Sequence, residues 1–394
     1  MVYLDNSATT RQYDEVTELM YKAAKENFGN PSSLHVLGYQ ADDLLYNARR
    51  QIEDLLPPAG NVIFTSGGTE SDNMALLSSA RKLRRRGNKV ITTKVEHPAV
   101  LETCKRLKED GFEVVFLDVD VDGYVEEQAV KAALDENTII VSVMAVNNEV
   151  GTIEPVVPVG RTVRDYNRQH GTEIMFHTDA VQAFGKLSLE DVDADLISAS
   201  GHKFHGPKGT GFLYMKKRHK LPPYILGGGQ EGGFRSSTEN TPGIAGMGLA
   251  AEMSCSDLMM KISNIGMVNN YLLNGLRSEI SDMIVNGPEE LGYTLLEHGK
   301  RCPSVLNVTF EGTRGEVLLH TLEQDGVIVS TGSACSSNKQ GESHVLQAMS
   351  MTHKEIEGAI RFSFSEFNTV EEMDFVIDRV KVAVERFRRL GSFR

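Results

Sequence analysis

Residues 196–211 read LISASGHKFHGPKGTG, a short apolar run followed by a polar loop. Leu196 to Ala199 are typical of a buried strand, and small or hydroxyl residues then surround one amine, Lys203. In an open α/β sheet, ligands bind beyond the carboxyl ends of the strands. The stretch therefore predicts a strand that brings Lys203 to the mouth of a binding site.

The same pattern repeats between residues 60 and 216, where short β-branched runs alternate with amphipathic stretches. This alternation favours an α/β fold: a large domain with a mainly parallel seven-stranded sheet flanked by helices. Helices are predicted between the strands, for example at Glu126–Leu134 and Val159–Asn167. The predicted strands are Val62–Thr65, Lys89–Thr93, Glu113–Leu117, Thr138–Val146, Glu173–Thr178, Leu196–Ala199 and Gly211–Met215.

A smaller α+β C-terminal domain is predicted beyond the glycine-rich stretch 227–233. A long helical region runs from about Pro242 to Ile280, and a final helix begins at Thr369, which forms a capping box with Glu372. Between them we predict strands Ser304–Phe310, Val327–Ser330 and Ile360–Ser365, and helix Glu316–Glu323. We assign residues 13–258 to the large domain, and residues 1–12 and 259–394 to the small one.

Charge and hydropathy exclude several classes of protein. The 394 residues carry 41 basic and 54 acidic side chains, a formal net charge of −13. Such a surface repels phosphate backbones and anionic lipid, so we expect neither nucleic acid nor membrane as a partner. No stretch approaches the roughly 20 apolar residues of a transmembrane helix, and no secretory pattern begins the chain, so we expect a cytoplasmic location.

The four cysteines, Cys104, Cys255, Cys302 and Cys335, lie far apart without a C-x-x-C pair. That spacing predicts no zinc site and no dithiol redox centre. We therefore expect no metal, and any cysteine chemistry must come from one thiol alone.

The strand before Gly68 and Thr69 leads into a predicted helix, whose first N–H groups can bind an anion. An ordinary helix cap is the alternative. Neither Gly-Lys-Ser/Thr nor G-x-G-x-x-G follows this strand, which weakens a nucleotide-binding interpretation.

Three more strands end in side chains that suit an aromatic ring. His97 suits a stacked imidazole or a proton shuttle, although a surface histidine capping a helix explains it equally. Asn148 offers an amide, which is also ordinary in turns. Asp179 is a buried carboxylate that needs a cationic partner, and a protonated ring nitrogen would be one. With Lys203 as a desolvated amine rather than a structural lysine, the set matches pyridoxal phosphate (PLP).

The chain resembles the cysteine desulfurases of the NifS/IscS type, which are fold-type I PLP transferases of the class V aminotransferase family. The motifs run from YLDNSATT at residues 3–10 and GNPSS at residues 29–33, through those above, to IRFS at residues 360–363. The resemblance thus covers almost the whole chain, and the ordered series is far more specific than any single motif.

The resemblance implies a role for each site residue. Lys203 would hold the PLP aldehyde, Asp179 the ring nitrogen and Gln182 the ring oxygen, while His97 would stack on the ring and Asn148 lie near the ring and the substrate. Gly68, Thr69, Ser200 and His202 would hold the phosphate. Thr238 would reach the phosphate site of a second subunit, which implies a homodimer.

The resemblance also implies the reaction. Arg361 would bind the carboxylate of L-cysteine, and Cys335, in the segment STGSACSSN at residues 330–338, would take the sulfur as a persulfide while L-alanine leaves. Iron–sulfur cluster assembly and tRNA or cofactor thiolation are the alternatives for the sulfur-acceptor protein. Selenocysteine lysis or transamination on the same scaffold, and a non-catalytic sulfur relay, remain as rival functions.

Overall fold

The computed structural model describes residues 1–331 and 342–391. In chain order the strands are β1 Val2–Tyr3, β2 Gly60–Thr65, β3 Lys89–Thr93, β4 Glu113–Leu117, β5 Thr138–Ser142, β6 Met175–Asp179, β7 Leu196–Ser200, β8 Gly211–Lys216, β9 Met283–Asn286, β10 Val305–Phe310, β11 Val327–Ile328 and β12 Ala359–Ser363. The α-helices are α1 Asp14–Glu26, α2 Val36–Glu53, α3 Gly68–Leu83, α4 Pro98–Glu109, α5 Glu127–Ala133, α6 Val156–His170, α7 Thr241–Cys255, α8 Leu258–Glu279, α9 Gly315–Gln324, α10 His344–Ala348, α11 His353–Glu357 and α12 Val370–Gly391.

The large sheet has seven strands in the order β2-β8-β7-β6-β5-β3-β4. Neighbouring strands from β7 to β4 are parallel, and β8 is antiparallel to both β7 and β2. Six strands therefore point the same way, and only β8 is reversed. This confirms the predicted mainly parallel sheet and places the carboxyl ends of β2, β3, β5, β6 and β7 at one edge.

In most strands of this sheet, alternate residues pack into separate hydrophobic clusters on the two faces. Ile63, Val90 and Ile140 belong to one cluster, whereas Phe64 and Ile91 belong to the other. Because successive side chains of a strand point to opposite faces, both faces must be covered. All residues of β3, β5, β6 and β7 are accordingly buried.

A second, smaller sheet has the antiparallel order β12-β10-β9, and α8 and α12 pack together beside it. The first residues of the chain join this part, because β1 pairs with β11 and Asp5 bridges to Ser363. The bounds of the two domains remain a prediction.

The structure differs most from the predicted elements in four places. β5 ends at Ser142 rather than Val146, although the backbone N–H of Ala145 still donates to Asp179 beyond the regular ladder. The helical region near residue 256 consists of two helices, because Asp257 has a left-handed backbone with φ 51°. The short strands β1 and β9 were not predicted, since 2 and 4 residues carry little periodic signal.

Two features are absent from the ranges 1–331 and 342–391. No helix there combines the length and apolar character needed to cross a membrane. Nor does any group of three or more His, Cys, Asp and Glu side chains in these ranges form a candidate metal site.

Candidate active site

A cleft of about 690 Å³ opens at the carboxyl edge of the large sheet. It brings together most of the residues selected from the sequence. Its lining is Ser7, Gly68, Thr69, Asp72, His97, Met144, Val146, Asn148, Asp179, Val181, Gln182, Ser200, His202 and Lys203. A few convergent polar groups among apolar side chains are typical of a small-molecule site.

Lys203 enters the cleft from the turn that follows β7. Its Nζ donates hydrogen bonds to the backbone carbonyls of Ser7 and Ala8. The N-terminal segment therefore forms one wall of the cleft and holds the amine there.

Two buried carboxyl groups share the cleft. Asp179 ends β6, and its Oδ1 accepts from the backbone N–H of Val181 at 2.9 Å. Asp72, on α3, is 1% exposed, and its Oδ1 has no hydrogen-bond partner in the described residues. Burial raises the pKa of each to about 7, and Asp72 further favours the protonated form of Asp179. An uncharged Asp72 and a cation beside Asp179 would relieve this repulsion.

His177, on β6, lies beside these two carboxyl groups within the sheet. Its Nδ1 lies 2.9 Å from Ser142 Oγ on β5, and its Nε2 lies 2.9 Å from Ser198 Oγ on β7. Nε2 is also 3.5 Å from Asp72 Oδ1. Burial lowers the pKa of His177 to about 4, so the ring is neutral at neutral pH.

His97 caps a helix and also lies in the cleft, and its role as a stacked ring or proton carrier remains a prediction. It caps α4, because its Nδ1 accepts from the backbone N–H of Ala99 at 3.1 Å, and it also lines the cleft. Burial, with the positive charges of Lys203 and His344, lowers its pKa to about 4. The neutral ring must then carry its proton on Nε2, since Nδ1 is an acceptor.

A polar cradle adjoins the cleft where α3 begins. Both are lined by Gly68, Thr69, Ser200 and His202, and the cradle adds Ala8, Thr9, Ser66, Gly67, Glu70, Lys208 and Gly209. A Cβ on Gly68 would lie 2.7 Å from Val181 Cγ2, so only glycine fits there without movement. Backbone N–H groups at a helix start, the Thr69 hydroxyl and the Lys208 amine are donors suited to an anion.

The sequence profile of the aminotransferase class-V family matches residues 2–376. The chain belongs to this family. It is 40% identical over 396 residues to a protein named cysteine desulfurase IscS from Dictyoglomus turgidum, covering 100% of this chain and 97% of that protein.

Solved structures resemble this chain along nearly its whole length. A NifS-like protein is 39% identical with a TM-score of 0.87, covering 98% of this chain and 99% of its own. A structure described as SspA in complex with cysteine is 32% identical with a TM-score of 0.79, covering 94% and 100%.

Arg361 does not line the cleft. The side chain, on β12, is 1% exposed; Nη1 donates to the carbonyl of Asn148 and Nη2 to Asp5 Oδ1, both at 2.9 Å. Its Nε has no hydrogen-bond partner in the described part of the chain. Arg361 thus ties the first residues and the small sheet to the segment that carries Asn148, and keeps one donor for a further acceptor.

Two predicted site residues stand apart. Thr238 is exposed and does not line the cleft of its own chain, while Cys335 lies outside the described residues. Of the other cysteines, Cys104 and Cys302 are buried and Cys255 is half-buried. Burial raises the pKa of Cys104 to about 12 and of Cys255 to about 11, which makes both poor nucleophiles.

Sequence reasoning missed Asp72, His177, Lys186 and Lys208. His177 could have been selected from the sequence, because a polar residue within the strand that leads to Asp179 needs hydrogen-bond partners. Asp72 lies in a helix and Lys186 in a turn, where nothing local indicates that Asp72 faces the cleft or that Lys186 contacts Gln182.

Proposed function

We propose that this protein is a cysteine desulfurase that uses PLP to convert L-cysteine to L-alanine and captures the sulfur on Cys335. The observation that carries the proposal is one cleft that combines an amine, a buried carboxyl and an anion cradle, in a chain 40% identical to a protein named cysteine desulfurase. The neighbour described as a complex with cysteine supports this amino acid as the substrate.

The residues of the cleft fit PLP. The cradle at Gly68 and Thr69 suits its phosphate, and Val181 Cγ2 occupies the space that a Cβ of residue 68 would take. Asp179 is a buried carboxyl whose raised pKa reflects burial, and a protonated ring nitrogen would supply the missing positive charge. Gln182 would bond the ring oxygen, and Lys203 would bind the aldehyde. When bound, PLP supplies a ring that accepts electrons from the amino acid after loss of its α-proton.

The residues of the chain divide the remaining work. Once the amino group of L-cysteine has displaced it from the aldehyde, the neutral Lys203 amine would take the α-proton, close to the carbonyls of Ser7 and Ala8. Asp179 holds a proton on the ring nitrogen. His97, neutral with its proton on Nε2, donates that proton within the cleft. Arg361 would bind the substrate carboxylate with its guanidinium group, which already donates to the carbonyl of Asn148 and to Asp5.

The sulfur moves in a step that needs no oxidant. The Cys335 thiolate attacks the sulfur of L-cysteine, an S–S bond forms, and the Cβ–S bond breaks with its electron pair remaining on Cβ. Cβ then takes up a proton, the α-proton is returned to Cα, and L-alanine leaves while Cys335 carries the persulfide. A low pKa is required of this thiol, because only the thiolate is an effective nucleophile.

Assembly and partners extend the proposal. Large apolar side chains are exposed on α1 and in the segment that follows it, including Tyr21, Phe28 and Leu34, which supports a homodimer. Thr238, exposed in its own chain, would then complete the phosphate cradle of the partner. An acceptor protein of iron–sulfur cluster assembly or of tRNA or cofactor thiolation would take the sulfur, in a cytoplasmic setting.

The test compares purified wild-type protein, Cys335→Ser and the matched control Cys255→Ser, each with PLP and L-cysteine. We expect Cys335→Ser to lose alanine formation by roughly a hundredfold or more while PLP absorbance is retained, and Cys255→Ser to remain active. Mass spectrometry should find one added sulfur atom on the Cys335 peptide of the wild type. Alanine production by Cys335→Ser at the wild-type rate would contradict the role of this thiol.

A further inference from the structure

Lys186 is a buried amine next to a predicted cofactor residue. It lies four residues after Gln182 in the turn that follows β6, and it is 8% exposed. Its Nζ donates to Gln182 Oε1 at 2.7 Å. Gly185, with φ 76°, sets this turn against Phe204, since a Cβ there would lie 2.7 Å from Phe204 Cβ.

The hydrogen bond from Lys186 fixes which way the amide of Gln182 points. An amide has an acceptor end and a donor end of nearly the same shape, so packing alone does not choose between them. An ammonium group only donates, and it therefore holds Oε1 towards Lys186 and turns Nε2 the other way. Nε2 donates to the carbonyl of Ser7 at 2.9 Å, the same carbonyl that accepts from Lys203.

A merely structural role explains Lys186 poorly. A buried ammonium is costly, and its partner here is a neutral amide rather than a carboxylate. Burial lowers the pKa of Lys186 to about 8, and the charges of Lys203 and Arg361 act in the same direction. The other ionisable groups that interact with it are Cys302, His202 and His205.

We propose that Lys186 is a positioning residue for the cofactor, which holds Gln182 so that its amide N–H faces the place of the ring oxygen. The inference rests on the proposed use of PLP. It assigns to Lys186 an effect that acts through Gln182 and does not require contact with substrate.

A double-mutant cycle on PLP affinity tests this inference. Cofactor-free wild type, Lys186→Met, Gln182→Ala and the double variant are titrated with PLP, and binding is followed by absorbance. We expect each single variant to bind PLP roughly tenfold more weakly, as for a lost hydrogen bond to a charged group. The double variant should bind no more weakly than Gln182→Ala, because Lys186 acts through residue 182. Lys82→Met, at the far end of α3, is the matched control and should not change affinity.

The outcomes separate this inference from the proposed function. Uptake of PLP by the wild type with unchanged affinity in Lys186→Met, or an equal loss in the Gln182→Ala background, would overturn only the role of Lys186. A wild type that takes up no PLP would overturn the proposed function and this inference with it. Thermal melting of the cofactor-free proteins checks folding. If Lys186→Met does not fold, Lys186→Gln serves instead, because its amide presents either end to Gln182. The same tenfold loss is then expected, and unchanged affinity would refute the role.

Discussion

Replacing Asp72 with Asn should stabilise the cofactor-free protein, and the gain should grow with pH. Asp72 is 1% exposed, and burial raises its pKa from 3.8 to about 7. The side chain of Asn has the same shape as that of Asp and can keep the hydrogen bond that Asp72 makes with Ser198, but it carries no charge. The variant therefore isolates the cost of ionising a carboxyl inside the cleft.

The sign and size follow from the two pKa values. Between pH 4 and pH 7 the folded protein keeps a proton on Asp72 that the unfolded chain has released, so the stability of the wild type falls as pH rises. At about 1.4 kcal/mol for each pH unit between the two pKa values, the cost is about 4 kcal/mol above pH 7 and about 1 kcal/mol near pH 4.5. Relief of the repulsion on Asp179 acts in the same direction.

Urea unfolding of the cofactor-free proteins at pH 4.5 and pH 8 measures this difference. Asp72→Asn should exceed the wild type in free energy of unfolding by about 4 kcal/mol at pH 8 and by about 1 kcal/mol at pH 4.5. Asp43→Asn, an exposed position on α2, should differ by less than about 0.5 kcal/mol at either pH. A variant that is less stable than the wild type at pH 8, or a difference that does not change with pH, would refute the reasoning.

Two further variants probe the cradle and the imidazole. Gly68→Ala should weaken PLP binding by roughly tenfold or more, because the new Cβ meets Val181 Cγ2 at 2.7 Å. Adding Val181→Ala should restore part of the PLP affinity, and no recovery in the titration would contradict the steric explanation. His97→Asn keeps an acceptor for the N-terminus of α4 but removes the ring proton. The kcat for alanine formation should therefore fall by roughly a hundredfold while the melting temperature stays within a few degrees. An unchanged kcat would exclude His97 as the proton carrier.

Much of the large domain follows from local sequence. Strands β3 and β4 have the predicted bounds, because short runs rich in β-branched residues between polar turns are typical of strands. Lys203, Asp179 and His97 could be selected for the same reason: each directly follows a recognisable strand, and the carboxyl ends of such strands meet at one edge.

Contacts between distant segments decided the rest. Asp5 and Arg361 form their ion pair across 356 positions of sequence, and no periodicity reports such a meeting. Asp72 shares the cleft with Asp179 only because α3 packs over β6, and the burial that raises both pKa values is created by that packing. Local patterns determine which segments become strands and helices, whereas the protonation and orientation of the site groups depend on which side chains the folded chain brings within a few ångströms.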